Sequence, residues 1–175
     1  MCAICNFKIE FSVGHPLALS VAVASRKAIE AGLIGELDVD DGPLSAARKR
    51  ISAVDALNLL QAQFEVSLTT GELLALPDFY VLLIEDDTWG FFHPTMDGFD
   101  PDIVPEMPDL TTADELKRSN VVVTSQAALR AWLSGAFDIE NALRDSVFVI
   151  DAPSSHHTSL VQMFVTAGSV AVSSN

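Results

Sequence analysis

The chain opens with two thiols three positions apart, Cys2-Ala3-Ile4-Cys5. A CxxC spacing lets two thiolates reach one metal ion from a single turn, which supplies half of a tetrahedral zinc or iron site. The other half has to come from the histidines, His15, His93, His156 and His157. His156 and His157 fall in the run 153–157, which reads as a polar turn with side chains free to point at an ion. Neighbours on an extended backbone face opposite ways, so only one of that pair is an easy ligand. The candidate metal set is therefore Cys2, Cys5, His15, His156 and His157, with zinc as the expected ion. The plain alternative makes both cysteines small apolar fillers of the terminus. A thioredoxin-like role would need the pair at a helix start behind a strand, where the helix N-terminus lowers a thiol pKa, and here the pair precedes a strand.

Other chemistry-bearing residues form weaker patterns. Asp97-Gly98-Phe99-Asp100-Pro101-Asp102 gathers carboxylates, but without the alternate spacing and distal glutamate of a calcium loop it reads as a solvated turn. Ser154, Ser155, His156 and His157 pair hydroxyls with imidazoles and lack a third member to orient them. The chain contains no G-x-S-x-G elbow, P-loop, G-x-G-x-x-G or H-E-x-x-H, so no motif argues for catalysis.

The elements that must position these residues follow from periodicity. Residues 6–12 alternate Phe7, Ile9 and Phe11 with Lys8 and Glu10, the pattern of a half-buried strand. Pro16 at a helix start and Gly32 past its end frame a helix over 16–31, which completes an N-terminal strand-helix unit over 6–32. Acidic residues with Gly42 and Pro43 make 36–43 a loop. The run 44–66 has helical spacing, with Leu57, Leu60 and Phe64 as its buried stripe, and Ser52 and Asp55 form a capping box that would split it. Apolar runs at 78–85 and 89–93, around the polar turn 86–88, predict a β-hairpin. Three prolines and four acids make 95–108 a long, exposed, mobile loop. A short helix is expected near 112–117, then a strand at 120–124 and a helix over 126–134 capped by Ser125 and ended by Gly135. Asp138 caps a helix reaching Arg144, a strand occupies 147–150, and a final helix spans 158–166. Strands and helices mix without regular βαβ alternation. The expected class is α+β, one domain over 1–175, with a mostly antiparallel sheet and helices packed on one face.

The run Val121-Val122-Val123-Thr124, followed by Leu129, Trp132, Leu133, Ser134 and Gly135, then Asp138, Ala142, Leu143 and the strand 147–150, resembles the C-terminal half of the sterol-carrier-protein-2-like family. Members of that family show a leucine-rich helix, a Ser-Gly, an acidic residue and an Ala-Leu or Ala-Phe before an edge strand. The resemblance covers roughly 78–166. It implies a curved sheet covered by helices, with an apolar tunnel that holds a lipid or other apolar ligand. Trp132, Phe148 and Phe164 would then line the cavity, between the helices 126–134 and 158–166 and the sheet.

Charge narrows the partners. The formal net charge is −14, and residues 51–116 hold no lysine or arginine, so attraction to nucleic acid or anionic lipid is not expected. That acidic stretch suits a cation, a basic partner or simple solvation. No run of about 20 apolar residues needed for a membrane helix occurs, and the first residues lack a secretory pattern, so the expected location is cytoplasmic. Three functions emerge: non-catalytic binding of an apolar small molecule in an internal cavity, metal binding through the CxxC and a histidine, and a homo-oligomeric interaction module, as a homodimer.

Overall fold

The β-hairpin forms where alternation and a polar turn predict it. β1 (Phe79–Leu83) pairs antiparallel with β2 (Thr88–Phe92), and Asp87 at φ 46° closes the turn. The computed structural model describes residues 14–37 and 42–172. The expected strand over 6–12, the CxxC before it and residues 38–41 of the expected loop lie outside the described residues.

After β2 come two short strands, β3 (Pro94–Thr95) and β4 (Gly98–Phe99), which pair with each other, then β5 (Val121–Thr124) and β6 (Phe148–Asp151). The main sheet runs β2-β1-β5-β6. Its hairpin and its β5-β6 pair are antiparallel, whereas the central β1 and β5 run parallel. The sheet is therefore mixed and mostly antiparallel, and the protein is α+β. Parallel pairing needs a long crossover, which the segment between β2 and β5 provides.

Side chains alternate across the pleat. Phe79, Val81, Leu83, Val122, Phe148 and Ile150 point to one face and meet α2 (Ser45–Ser67), α4 (Gln126–Leu133), α5 (Ile139–Arg144) and α6 (Ser154–Val172) in the larger core. Tyr80, Leu82, Trp89, Val121 and Val123 point to the other face, where Val21 of α1 (Ala18–Glu30) and Leu110 cover them. Leu57, Leu60 and Phe64 form the buried stripe of α2, each with no exposed surface.

The helix starts of the C-terminal half use the caps their sequence offers. Ser125 Oγ accepts from the Ala128 amide and Asp138 from the Asn141 amide. The Glu85 carboxylate also accepts from the Gln126 amide at 2.8 Å, an anion placed at the positive end of α4. Burial pushes the Glu85 pKa up against the amides of Gln126 and Ala127 that donate to it, which pull it down.

Four expectations change. The capping box at Ser52 and Asp55 does not form, and α2 continues unbroken, because the Ser52 hydroxyl accepts instead from Gln126 Nε2 at 2.6 Å and Arg130 Nη2 at 3.1 Å. No helix forms near 112–117. Asp109 Oδ1 accepts from the Thr111 and Thr112 amides, Thr112 Oγ1 from the Asp114 amide, and Asp114 Oδ1 from the Leu116 amide. Such local side-chain bonds offer the backbone an alternative to helical ones.

The loop 95–108 is not wholly exposed. It holds β4, buries Phe99, and is tied down where the Tyr80 hydroxyl donates to the Glu106 carbonyl at 2.7 Å. Finally, the expected turn 153–157 is the first turn of α6. The Pro153 carbonyl accepts from the amides of His156 and His157, so both histidines are helical.

Candidate functional site

The central aromatic cluster is where the resemblance places a ligand. Trp132 and Phe164 meet at 5.2 Å between ring centroids, Phe148 and Phe164 at 5.7 Å, and Phe64 and Phe164 at 5.2 Å, all at steep interplanar angles. These are the edge-to-face contacts of a packed core. The three predicted ligand residues, Trp132, Phe148 and Phe164, are thus brought together, with Phe164 in contact with both of the others and with Phe64.

A concave site lies on the other flank of α6. α2 ends at Ser67, and Thr69 opens a new helix, α3 (Thr70–Leu74), through a capping box. The Glu72 amide donates to Thr69 Oγ1, while the Thr69 amide and hydroxyl donate to Glu72 Oε2 at 2.8 and 2.7 Å. These donors hold the Glu72 carboxyl below the ordinary glutamate range, the backbone amide contributing most. α3 stands off from α6 and leaves an open groove of about 320 Å³.

Leu68, Leu76 and Met163 supply the apolar floor of the groove, and Leu68 and Met163 belong to the main core. Thr158, Ser159, Gln162 and Thr166, at helical spacing along one side of α6, give it a polar wall, and Glu72 stands at its lip. None of these residues was singled out in the sequence. Two signals were present: the Thr69-Thr70-Gly71-Glu72 capping pattern, and the Ser/Thr/Gln stripe beside the apolar face of α6.

The histidines gather elsewhere. Because β1 and β5 are parallel and their outer neighbours antiparallel to them, the residues that lead into β1 and β5 share one end of the sheet with those that leave β2 and β6. His93 Nδ1 lies 2.8 Å from Asp78 Oδ1, and Asn120 Nδ2 donates to the Asp78 carbonyl at 2.8 Å. With its amide nitrogen so used, Asn120 presents Oδ1, which must accept from His156 Nδ1 at 3.0 Å.

Buried His15 accepts the Leu17 amide at Nδ1, so its Nε2 carries the proton and donates to Asp151 at 3.1 Å. Arg118 reaches the same carboxylate oxygen at 3.4 Å. Burial lowers the His15 pKa more than Asp151 raises it.

Of the expected metal ligands, His15 and His156 therefore sit at this end of the sheet as hydrogen-bonding groups, and His157 is exposed on α6. Among the described residues no group of three or more His, Cys, Asp or Glu side chains stands close enough to hold a metal ion. Cys2 and Cys5 lie outside the described residues.

No helix among the described residues is long and apolar enough to cross a membrane. Set against protein-family models, curated proteins and solved structures, the chain matches none.

Proposed function

We propose that the protein binds an apolar small molecule, without catalysis, in the groove between α3 and α6. The observation that carries this reading is the groove itself: about 320 Å³ of open concave space whose floor, Leu68 and Met163, is continuous with the main core. That volume is at the lower end of the range of roughly 300–1,000 Å³ typical of small-molecule sites, which are mostly apolar with a few placed polar groups. Leu68, Leu76 and Met163 against Ser159 and Gln162 have that composition. The resemblance of 78–166 to the sterol-carrier-protein-2-like family supports the same ligand class. The site proposed here lies beside the aromatic cluster and leaves the packing of Trp132, Phe148 and Phe164 undisturbed.

The test is titration of amide-labelled protein with dodecanol below its solubility limit, followed by NMR. Shifts confined to residues around Leu68, Leu76 and Met163 are expected. Ala75, exposed at the rim, offers a blocking variant, since Ala75→Trp fills the groove without entering the core. It should abolish the shifts and leave the unfolding temperature close to that of the wild type. Shifts around Phe148 and Phe164, or shifts that persist in A75W, would place the ligand elsewhere.

A further inference from the structure

The proposed groove also has a charge, and that charge selects among apolar ligands. Glu72 is the single ionisable residue of its lining, and no lysine, arginine or histidine joins it there. The Thr69 amide and hydroxyl both donate to Glu72 Oε2, so Oε1 has no protein partner among the described residues. Across the groove, Gln162 Nε2 donates to Thr166 Oγ1 at 3.4 Å, which leaves Gln162 Oε1 as a carbonyl acceptor. Ser159 adds a hydroxyl, which can accept as well as donate. The polar rim is thus one fixed anion, one carbonyl acceptor and hydroxyls that can accept, with no cation, above an apolar floor.

We propose that the groove takes a cationic amphiphile: an alkyl or other apolar body on the floor, and an ammonium head against Glu72, with Gln162 and Ser159 accepting its remaining protons. An ammonium brings three donors and no acceptor, the complement of this rim. A carboxylate head brings only acceptors and a like charge, and meets no cation in the lining. This inference rests on the groove being a binding site and specifies which head group it admits.

The experiment measures the affinities of dodecylammonium, dodecanol and laurate at pH 7 by calorimetry, below their micelle concentrations, on wild type and on Glu72→Gln. A capping box works with glutamine as with glutamate, so E72Q keeps α3 and removes only the charge. Dodecylammonium should bind wild type on the order of tenfold tighter than laurate, the scale of one close charge pair at partly screened distance. Dodecanol should fall between the two. In E72Q, with an unchanged circular dichroism spectrum, the preference for ammonium over alcohol should vanish.

Laurate binding as tightly as dodecylammonium would overturn the assignment. So would a preference that survives in E72Q, which would trace it to the general negative charge of the chain. If dodecanol binds and the three probes do not differ, the groove reading stands and the head-group inference fails. If none of the three binds, both fail.

Discussion

Gly98 opens β4 with φ at +121°, a region that L side chains rarely adopt. A Cβ placed on it would lie 2.6 Å from Glu65 Oε1. That oxygen accepts from the Phe99 amide at 3.0 Å and from Gln61 Nε2 at 2.8 Å, so it joins β4 to α2. Gly98→Ala therefore acts twice. The backbone strain costs about 1–3 kcal/mol. Displacing the carboxylate loses a hydrogen bond to a charged acceptor, worth roughly 1 kcal/mol or more once the exposure of Glu65 is allowed for.

The expected loss of stability is about 2–4 kcal/mol, or roughly 5–12 °C in Tm at this chain length. Urea unfolding followed by circular dichroism measures it. The double variant separates the two causes, since on a Glu65→Ala background only the strain remains and G98A should cost about 1–3 kcal/mol. A G98A protein within about 0.5 kcal/mol of wild type would refute the close approach of β4 to α2. Equal costs on both backgrounds would refute the role of Glu65.

Phe164→Ala should cost about 3–5 kcal/mol and collapse the near-ultraviolet circular dichroism of the cluster, because the ring is fully buried against Phe64, Trp132 and Phe148. A loss below about 1 kcal/mol would mean that the space beside α6 is loosely filled. His15 titrates at 6.5 in the unfolded chain and lower in the fold, where burial outweighs the Asp151 carboxylate facing it and Arg118 adds to the lowering. The unfolded chain thus binds the proton more readily, so the stability linked to neutral His15 is complete above pH 6.5 and declines as pH falls from there to the lower folded value. Urea unfolding between pH 7.5 and 5 should show this decline, at most about 1.4 kcal/mol per pH unit from one site, and His15→Gln should remove it; parallel profiles for the two proteins would sink the assignment.

Local chemistry was readable at many of the places where it decided the outcome alone. The hairpin, the caps at Ser125 and Asp138, the stop at Gly135 (φ 73°) and the Leu57-Leu60-Phe64 stripe each depend on residues within one or two turns of each other, and all appear as expected. Two misreadings were local: side-chain bonds from Asp109, Thr112 and Asp114 took the place of a helix near 112–117, and α6 starts at Ser154, directly after Pro153. The others depended on distant partners. Ser52 looks like a cap within its own segment, and its hydroxyl is instead held by Gln126 and Arg130, side chains 74 and 78 positions away.

Phe99 sits among prolines and acids, and is buried because α2 passes above it and offers Glu65 to its amide. The histidines looked like ligands because their types suit a metal. Which groups they would meet depended on the parallel β1-β5 pair, and nothing local in Phe79–Leu83 or Val121–Thr124 announces its direction beyond their continuous burial. The groove was missed for the same reason: its walls are two helix flanks that the sequence separates by more than 80 positions.

Those walls are held before any ligand arrives. α6 is fixed at its first turn by His156 on Asn120, and near its other end by Gln63 Nε2, which donates to the Ala167 carbonyl at 2.8 Å. Between these points Leu160, Phe164 and Ala167 are buried in the core. The flank carrying Ser159, Gln162 and Thr166 therefore has little freedom to rotate about the helix axis, since turning it outward would expose Phe164. On the opposite wall, the Thr69-Glu72 capping box fixes the angle at which α3 leaves α2. A ligand that enters such a groove orders no helix and pays for no core rearrangement, so the contact it makes with the floor reaches the binding free energy with little deduction. The break between α2 and α3 is part of the groove: Thr69, extended at φ −71° and ψ 159°, ends the one helix and caps the next, and Leu68 and Glu72, on either side of it, both line the groove.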